Sequence, residues 1–136
     1  AKITARATFW KGECEYSLDQ FSEAVLTYKQ FLNNASASET PENKTVNYNL
    51  AYSYFKIKEY ENAIPYFNTY ITNSKEDKNR LTDAYLRLAD CNYISSKYWP
   101  AMDAYNKAIE LKCVDADYAA FQKGMSYGFD QIRINI

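Results

Sequence analysis

The chain has 136 residues with 16 basic and 17 acidic side chains, and it contains no histidine and only three glycines. This length suits one domain, and the net charge of -1 excludes a basic surface for a nucleic-acid backbone. Without histidine the chain lacks the commonest general base and metal ligand, and three glycines cannot form a glycine-rich phosphate loop. We predict a folded protein that is not an enzyme and has no cofactor, metal site or nucleic-acid partner.

Three segments of the sequence align with one another without gaps: Phe9–Leu32, Tyr48–Ile71 and Leu86–Ile109. Equivalent positions recur at separations of 39 and then 38 residues. The five positions that keep a small or an aromatic side chain are Gly12, Ala51 and Ala89; Tyr16, Phe55 and Tyr93; Phe21, Tyr60 and Tyr98; Ala24, Ala63 and Ala101; and Tyr28, Phe67 and Tyr105. This register indicates an internal repeat.

Each repeat is predicted to contain two helices. In the first helix of repeat 2, Leu50, Tyr54 and Ile57 follow the i, i+4, i+7 pattern of one helical face, and Lys58-Glu59 then interrupts the helix. A small residue on each helix lets the two backbones approach closely, and an aromatic residue fills the space beside them. Because one hairpin cannot bury its apolar face alone, we predict an all-α, right-handed superhelix of antiparallel helix-turn-helix repeats.

We expect one domain over residues 1–136. Its predicted parts are repeat 1 at about 5–41, repeat 2 at about 44–80, repeat 3 at about 82–115 and a partial repeat 4 at about 117–136. In repeat 4, Gly124 stands at the small-residue position. The sequence starts without Met and ends inside a repeat, so we expect a fragment of a longer protein.

The links between repeats and the cysteines are predicted to be structural. The mixed-charge stretches Glu39–Lys44 and Lys75–Lys78 are expected to be exposed and solubilising. Cys14 and Cys91 share one repeat position and are expected to be small core residues, and with Cys113 they form no paired framework.

With these positions in place, the sequence resembles the tetratricopeptide-repeat family, whose motif would be carried by Gly12, Tyr16, Phe21, Ala24 and Tyr28 in repeat 1. The spacing of 38 to 39 residues exceeds the roughly 34 usual in the family. It resembles a bacterial envelope branch that includes periplasmic Tol-Pal accessory proteins and outer-membrane assembly lipoproteins. This resemblance implies a periplasmic or outer-membrane-associated protein, with the cytoplasm as the alternative. No run of the sequence approaches the roughly 18 apolar residues of a membrane span, so we expect no membrane insertion by this stretch.

The resemblance also implies a concave groove, lined mainly by the first helix of each repeat, that holds a peptide or a partner's helix. The residues that map to this groove are Arg6, Phe9, Glu13, Thr45, Tyr48, Asn49, Tyr52, Asp83, Leu86, Arg87 and Asp90. Phe9, Tyr48 and Tyr52 are the predicted ligand contacts. The function implied is a non-catalytic protein-interaction scaffold.

Some family members bind a C-terminal carboxylate in this groove through lysine, asparagine and arginine. Asn49 and Arg87 match that pattern, whereas Glu13 and Asp83 occupy two of the other positions. Two acids would repel a carboxylate, so a ligand of that kind is not expected.

Two alternative functions stay open. In one, the C-terminal end around Phe121, Met125 and Phe129 stacks on further repeats or on a second copy of the chain. In the other, the aromatic groove binds carbohydrate, although Trp10 is the single tryptophan near the mapped positions.

Overall fold

The structure, a computed structural model, describes residues 1–111 and 123–125. Residues 1–111 contain six α-helices, namely α1 Lys2–Ser17, α2 Phe21–Leu32, α3 Val46–Lys56, α4 Tyr60–Asn73, α5 Lys78–Ile94 and α6 Tyr98–Glu110. They form three antiparallel pairs, α1 with α2 (hairpin 1), α3 with α4 (hairpin 2) and α5 with α6 (hairpin 3). The predicted all-α fold of helix-turn-helix repeats is confirmed.

The chain divides into two compact units, residues 1–73 and 74–136. The first unit holds hairpins 1 and 2, and α2 packs against α3 within it. Two 3₁₀ turns, Ala37–Glu39 and Pro41–Lys44, connect these hairpins. The described part of the second unit consists of hairpin 3 and residues 123–125. Most of the predicted repeat 4 lies outside the described residues, including Phe121 and Phe129, whereas Met125 is described and partly exposed.

The small-residue position explains how closely the two helices of a hairpin approach. A Cβ added at Gly12 would lie 2.8 Å from Cε1 of Tyr28 and 3.0 Å from its Cδ1. Tyr28 is fully buried, so its ring would have to shift within the hairpin to admit that carbon. In hairpins 2 and 3 the same position holds Ala51 and Ala89, which are also fully buried. The repeat therefore depends on a small side chain on the first helix.

The turn inside each hairpin has the same backbone conformation. Asp19, Lys58 and Ser96 have φ angles of 61°, 65° and 61°, in the left-handed region that usually favours glycine. In hairpin 1 the N–H of Gln20 donates to the C=O of Glu15 at 2.8 Å, and equivalent bonds close the other two turns. This is the Schellman arrangement, which satisfies carbonyl groups at the end of a helix.

An aromatic pair spans each of these turns. The ring centroids lie 5.0 Å apart for Tyr16–Phe21, 5.3 Å apart for Phe55–Tyr60 and 5.6 Å apart for Tyr93–Tyr98, all in edge-to-face geometry. Such pairs add stabilisation beyond the area they bury, so the turn is held by side chains as well as by backbone bonds.

The two described cysteines differ. Cys91 is fully buried, as predicted, and burial raises the pKa of its thiol to about 12. The core role predicted for Cys14 is wrong, because this residue is exposed. Its equivalent in hairpin 2, Ser53, is buried on α3, which packs against α2 of the preceding hairpin.

Candidate functional site

A cavity of about 170 Å³ lies in the first unit, bordered by α1, α2 and α3. Its lining residues are Glu13, Tyr16, Tyr28, Tyr48, Asn49 and Tyr52. This volume is similar to that of a cavity that admits a benzene-sized group, about 150 Å³, and well below the roughly 300 Å³ of small-molecule pockets. The cavity therefore suits one side chain of a larger ligand.

Four of the residues predicted to face the groove come together at this cavity. Glu13 is supplied by α1, and Tyr48, Asn49 and Tyr52 are supplied by α3. The three residues of α3 meet at the cavity because of their spacing. Tyr48, Asn49 and Tyr52 stand at i, i+1 and i+4, which places them on one side of the helix, as the sequence predicted. Thr45, which was also mapped to the groove, lies just before α3 and is outside the lining.

Glu13 is the charged group of the cavity. The Tyr28 hydroxyl donates a hydrogen bond to Glu13 Oε1, and Asn49 Nδ2 donates to the same oxygen at 2.6 Å. Burial, with a further contribution from the bond to Glu13, raises the pKa of Tyr28, so its hydroxyl stays protonated and acts as a donor. Among the described residues, no lysine or arginine contacts the Glu13 carboxylate, and Oε2 receives no hydrogen bond.

The aromatic wall of the cavity is held by packing inside hairpin 2. The ring of Tyr48 lies 4.9 Å from that of Tyr52 and 5.2 Å from that of Tyr70, measured between centroids. Phe67, which is fully buried, contacts Tyr48 at 6.4 Å and Tyr52 at 5.6 Å. Because α4 supports both rings, they need little reordering when a ligand arrives.

Phe9 and Arg6, the other two groove residues predicted in repeat 1, lie elsewhere. Phe9 is only 3% exposed, and its ring packs 5.7 Å from Tyr28 and 5.6 Å from Phe31. Arg6 Nε lies 3.0 Å from Glu42 Oε1 and 3.1 Å from its Oε2. In this structure Phe9 is a core residue of hairpin 1, and Arg6 connects α1 to the second 3₁₀ turn.

Glu42 was predicted to be an exposed, solubilising residue, and this is wrong. It is 8% exposed, because Trp10 Nε1 also donates to it, at 3.1 Å, and the Arg6 side chain covers it. The hydrogen bond from Arg6 lowers the pKa of Glu42, against the opposing effect of desolvation, and the bond from Trp10 lowers it further. Repeat periodicity does not extend into the link between repeats, so the sequence carried no signal for this contact.

A second cluster forms in hairpin 3 from residues that were also mapped to the groove. Arg87 Nη1 donates to Asp90 Oδ2 at 2.6 Å, and Arg87 Nε lies 3.6 Å from Asp83 Oδ1. The Tyr105 hydroxyl donates to Asp90 Oδ1. Asp90 is 6% exposed and Leu86 is buried. This carboxylate thus has a cation and a hydroxyl donor from its own hairpin.

Two lining residues were predicted only as core positions. Tyr16 and Tyr28 follow the repeat pattern of packing residues, yet each also presents a surface to the cavity. The sequence did carry one signal for the Tyr28 contact. In repeats 1 and 3 an acidic residue lies 15 positions before the tyrosine of the second helix, as Glu13–Tyr28 and Asp90–Tyr105. Both pairs are hydrogen-bonded.

The fold and the cavity together define an all-α helical-repeat protein with a side-chain-sized aromatic and acidic site. Residues 16–78, just under half of the chain, match the sequence model of a family described as tetratricopeptide repeat. This match supports the resemblance of the chain to the tetratricopeptide-repeat family, whose repeats generally mediate protein–protein interactions. No curated protein matches the sequence.

Two properties of residues 1–111 and 123–125 bear on other kinds of site. None of the helices there combines the length and the hydropathy that crossing a membrane requires. The same residues contain no group of three or more cysteine, aspartate or glutamate side chains placed to hold a metal ion.

Proposed function

We propose that this protein is a non-catalytic interaction scaffold whose first unit binds an extended peptide or a helix of a partner protein. The observation that carries the proposal is the cavity between α1 and α3, which gathers Glu13, Tyr48, Asn49 and Tyr52 around a space for one side chain. The match to repeats that generally mediate protein–protein interaction supports the same function.

The residue types suit this role. Tyrosine offers a large contact area and loses little conformational entropy on binding, and it is enriched among the residues that dominate binding energy. Asn49 and Glu13 add polar groups that orient a ligand. In the second unit, Asp83 and Arg87 keep about a quarter of their side chains exposed, and we propose them as contacts that this unit offers by itself. Phe9, Leu86 and Asp90 are buried and would act through packing.

The proposal is tested by selecting a phage-displayed library of random peptides on the immobilised chain. Individual peptides are then measured against three proteins: the unmodified chain, Tyr52→Ala and Tyr85→Ala. Tyr85 is half-buried on α5 and does not line the cavity, so it is the matched control. We expect Tyr52→Ala to weaken binding at least tenfold, because truncating a tyrosine that dominates binding costs about 2 kcal/mol, and Tyr85→Ala to leave it unchanged.

Circular dichroism must show that both variants are as helical as the unmodified chain. Equal binding by the unmodified chain and Tyr52→Ala would refute the assignment of the cavity as the peptide site. The carbohydrate alternative is tested by presenting the same three proteins to a glycan array, and stacking through the C-terminal end is tested by light scattering at several concentrations. Location in the bacterial periplasm or at the outer membrane, with the cytoplasm as the alternative, stays a prediction from the repeat spacing.

A further inference from the structure

The charge of the cavity distinguishes the ligands that it can accept. We infer that the cavity of the first unit binds a cationic side chain, arginine or lysine, of a partner peptide, with Glu13 as its counter-ion and Tyr16, Tyr48 and Tyr52 as its aromatic wall. This inference rests on the proposed function and names the chemistry that the site recognises.

The first argument comes from an equivalent carboxylate in the same chain. Glu13 and Asp90 occupy the same repeat position, and each accepts a hydrogen bond from a tyrosine of its own hairpin. Asp90 also binds Arg87 at 2.6 Å. The residue of hairpin 1 that is equivalent to Arg87 is Trp10, and its indole N–H donates to Glu42 instead.

Within the described residues, every donor that hydrogen-bonds to Glu13 is therefore neutral. Both of its hydrogen bonds reach Oε1, from the Tyr28 hydroxyl and the Asn49 amide. A cationic ligand adds a direct charge–charge attraction that neutral donors cannot supply, so a carboxylate at the edge of a cavity favours a cationic ligand. An incoming guanidinium or ammonium group can donate to Oε2, as Arg87 does to Asp90.

The second argument is the composition of the wall. A cation within about 6 Å of a tyrosine ring is attracted by the negative face of the ring, and the attraction grows as the site is desolvated. Three half-buried tyrosines face the same cavity as Glu13. The volume of about 170 Å³ accepts one extended side chain, and the fixed rings of hairpin 2 keep the site open in that shape.

The experiment uses N-acetyl-arginine amide and N-acetyl-lysine amide as probes of the full chain. N-acetyl-citrulline amide, which has nearly the shape of the arginine probe without its charge, is the neutral control. Binding is followed by two-dimensional ¹H–¹⁵N NMR, through the side-chain amide of Asn49 and the backbone signals of Glu13 and Tyr52. We expect saturable shifts from both cationic probes and at least about tenfold weaker binding of the citrulline probe.

Glu13→Gln is the decisive variant, because it keeps an oxygen for Tyr28 and Asn49 and removes the charge. We expect it to reduce the affinity for the arginine probe to that for citrulline. Glu23→Gln, which removes an exposed charge of α2, is the control for net charge and should leave the affinity unchanged. An unchanged arginine affinity in a folded Glu13→Gln would overturn the inference.

Two further outcomes separate this inference from the proposed function. Equal affinity for the arginine and citrulline probes, or no shift of the cavity signals by any probe at tens of millimolar, would overturn the cationic ligand. Selected peptides that still depend on Tyr52 would then show that the cavity binds peptides through other side chains. If no selected peptide depended on Tyr52 and no probe bound, the proposed function would be refuted as well.

Discussion

Hairpins 1 and 3 place a carboxylate and a tyrosine at the same two repeat positions and differ in what else the carboxylate binds. In hairpin 3, Asp90 is 6% exposed and binds Arg87 from the preceding turn of α5. In hairpin 1, Glu13 is half-buried beside a cavity and binds the amide of Asn49 from hairpin 2. The Asp90 carboxylate is neutralised by an arginine of its own helix, whereas the Glu13 carboxylate faces a space that a ligand can enter.

The cations and donors of hairpin 1 are directed elsewhere. Arg6 and Trp10, at the positions of Asp83 and Arg87 in hairpin 3, both bind Glu42 in the link to hairpin 2. The same two positions thus support an internal ion pair in one hairpin and a connection to a neighbouring segment in the other. A repeat position fixes where a side chain lies on the hairpin, and the neighbouring residue types decide whether it is structural or available to a ligand.

The largest expected effect is the loss of the cation in hairpin 3. Removing one member of a buried ion pair costs about 3 to 5 kcal/mol, and because Arg87 is 27% exposed we expect Arg87→Met to lower the free energy of unfolding by about 3 kcal/mol. Trp10→Met changes the equivalent position of hairpin 1 without touching Glu13 and should cost less. Urea denaturation followed by circular dichroism measures both. Equal losses would show that the ion pair of Asp90 contributes no more to stability than the contacts of Trp10 with Glu42.

Gly12→Ala tests the close approach of helices in hairpin 1. The added methyl group would lie 2.8 Å from a ring that is fully buried and hydrogen-bonded to Glu13, so we expect a loss of about 2 kcal/mol despite the better helix propensity of alanine. Hairpin 3 accepts alanine at this position, as Ala89. In urea denaturation the double variant Gly12→Ala, Tyr28→Leu should lose less stability than the sum of the two single variants. A stabilised Gly12→Ala would contradict the packing argument.

The tyrosine hydroxyls allow a direct comparison of the two carboxylates. A hydrogen bond to a charged group contributes about 1.5 to 3 kcal/mol, so we expect Tyr105→Phe to cost about 2 kcal/mol at the buried Asp90. Tyr28→Phe should cost about 1 kcal/mol, because water in the cavity can replace the lost donor at Glu13. The two variants are compared by thermal and urea unfolding. The opposite order would show that Glu13 is the more deeply desolvated carboxylate.

Glu42 links hairpin 1 to hairpin 2 in a pH-dependent way. Its pKa is lowered in the folded state, so its contribution to stability is present above the unfolded pKa of about 4.3 and disappears as the pH falls through the folded pKa. We expect Glu42→Gln to lower the free energy of unfolding by about 1 kcal/mol at neutral pH and by much less near pH 3. Glu39→Gln, an exposed neighbour, should have no effect at either pH. A pH-independent loss would contradict an ionic contact.

The repeat pattern predicted the hairpins and one side of the cavity for a physical reason. Positions such as Ala51, Phe67 and Tyr52 are fixed by helical phase, and phase can be read from spacing. The partners of Glu42 could not be predicted, because its link segment has no period and its side-chain direction depends on two 3₁₀ turns. Phe9 had the phase of a groove residue, but its burial is decided by the neighbouring rings of Tyr28 and Phe31, which phase alone does not describe.

The smallest expected effect concerns the turn that all three hairpins share. A non-glycine residue in the left-handed region is disfavoured by about 1 to 2 kcal/mol, partly offset in a glycine variant by the greater freedom of the unfolded chain. We therefore expect Lys58→Gly to raise the free energy of unfolding by about 0.5 to 1 kcal/mol, and Asp19→Gly to raise it less, because aspartate enters this region more easily. Gln30→Gly, in the regular part of α2, should lower stability by about 1 kcal/mol. If Lys58→Gly instead destabilised the protein in thermal unfolding, the lysine side chain would have to contribute more to stability than its backbone strain costs.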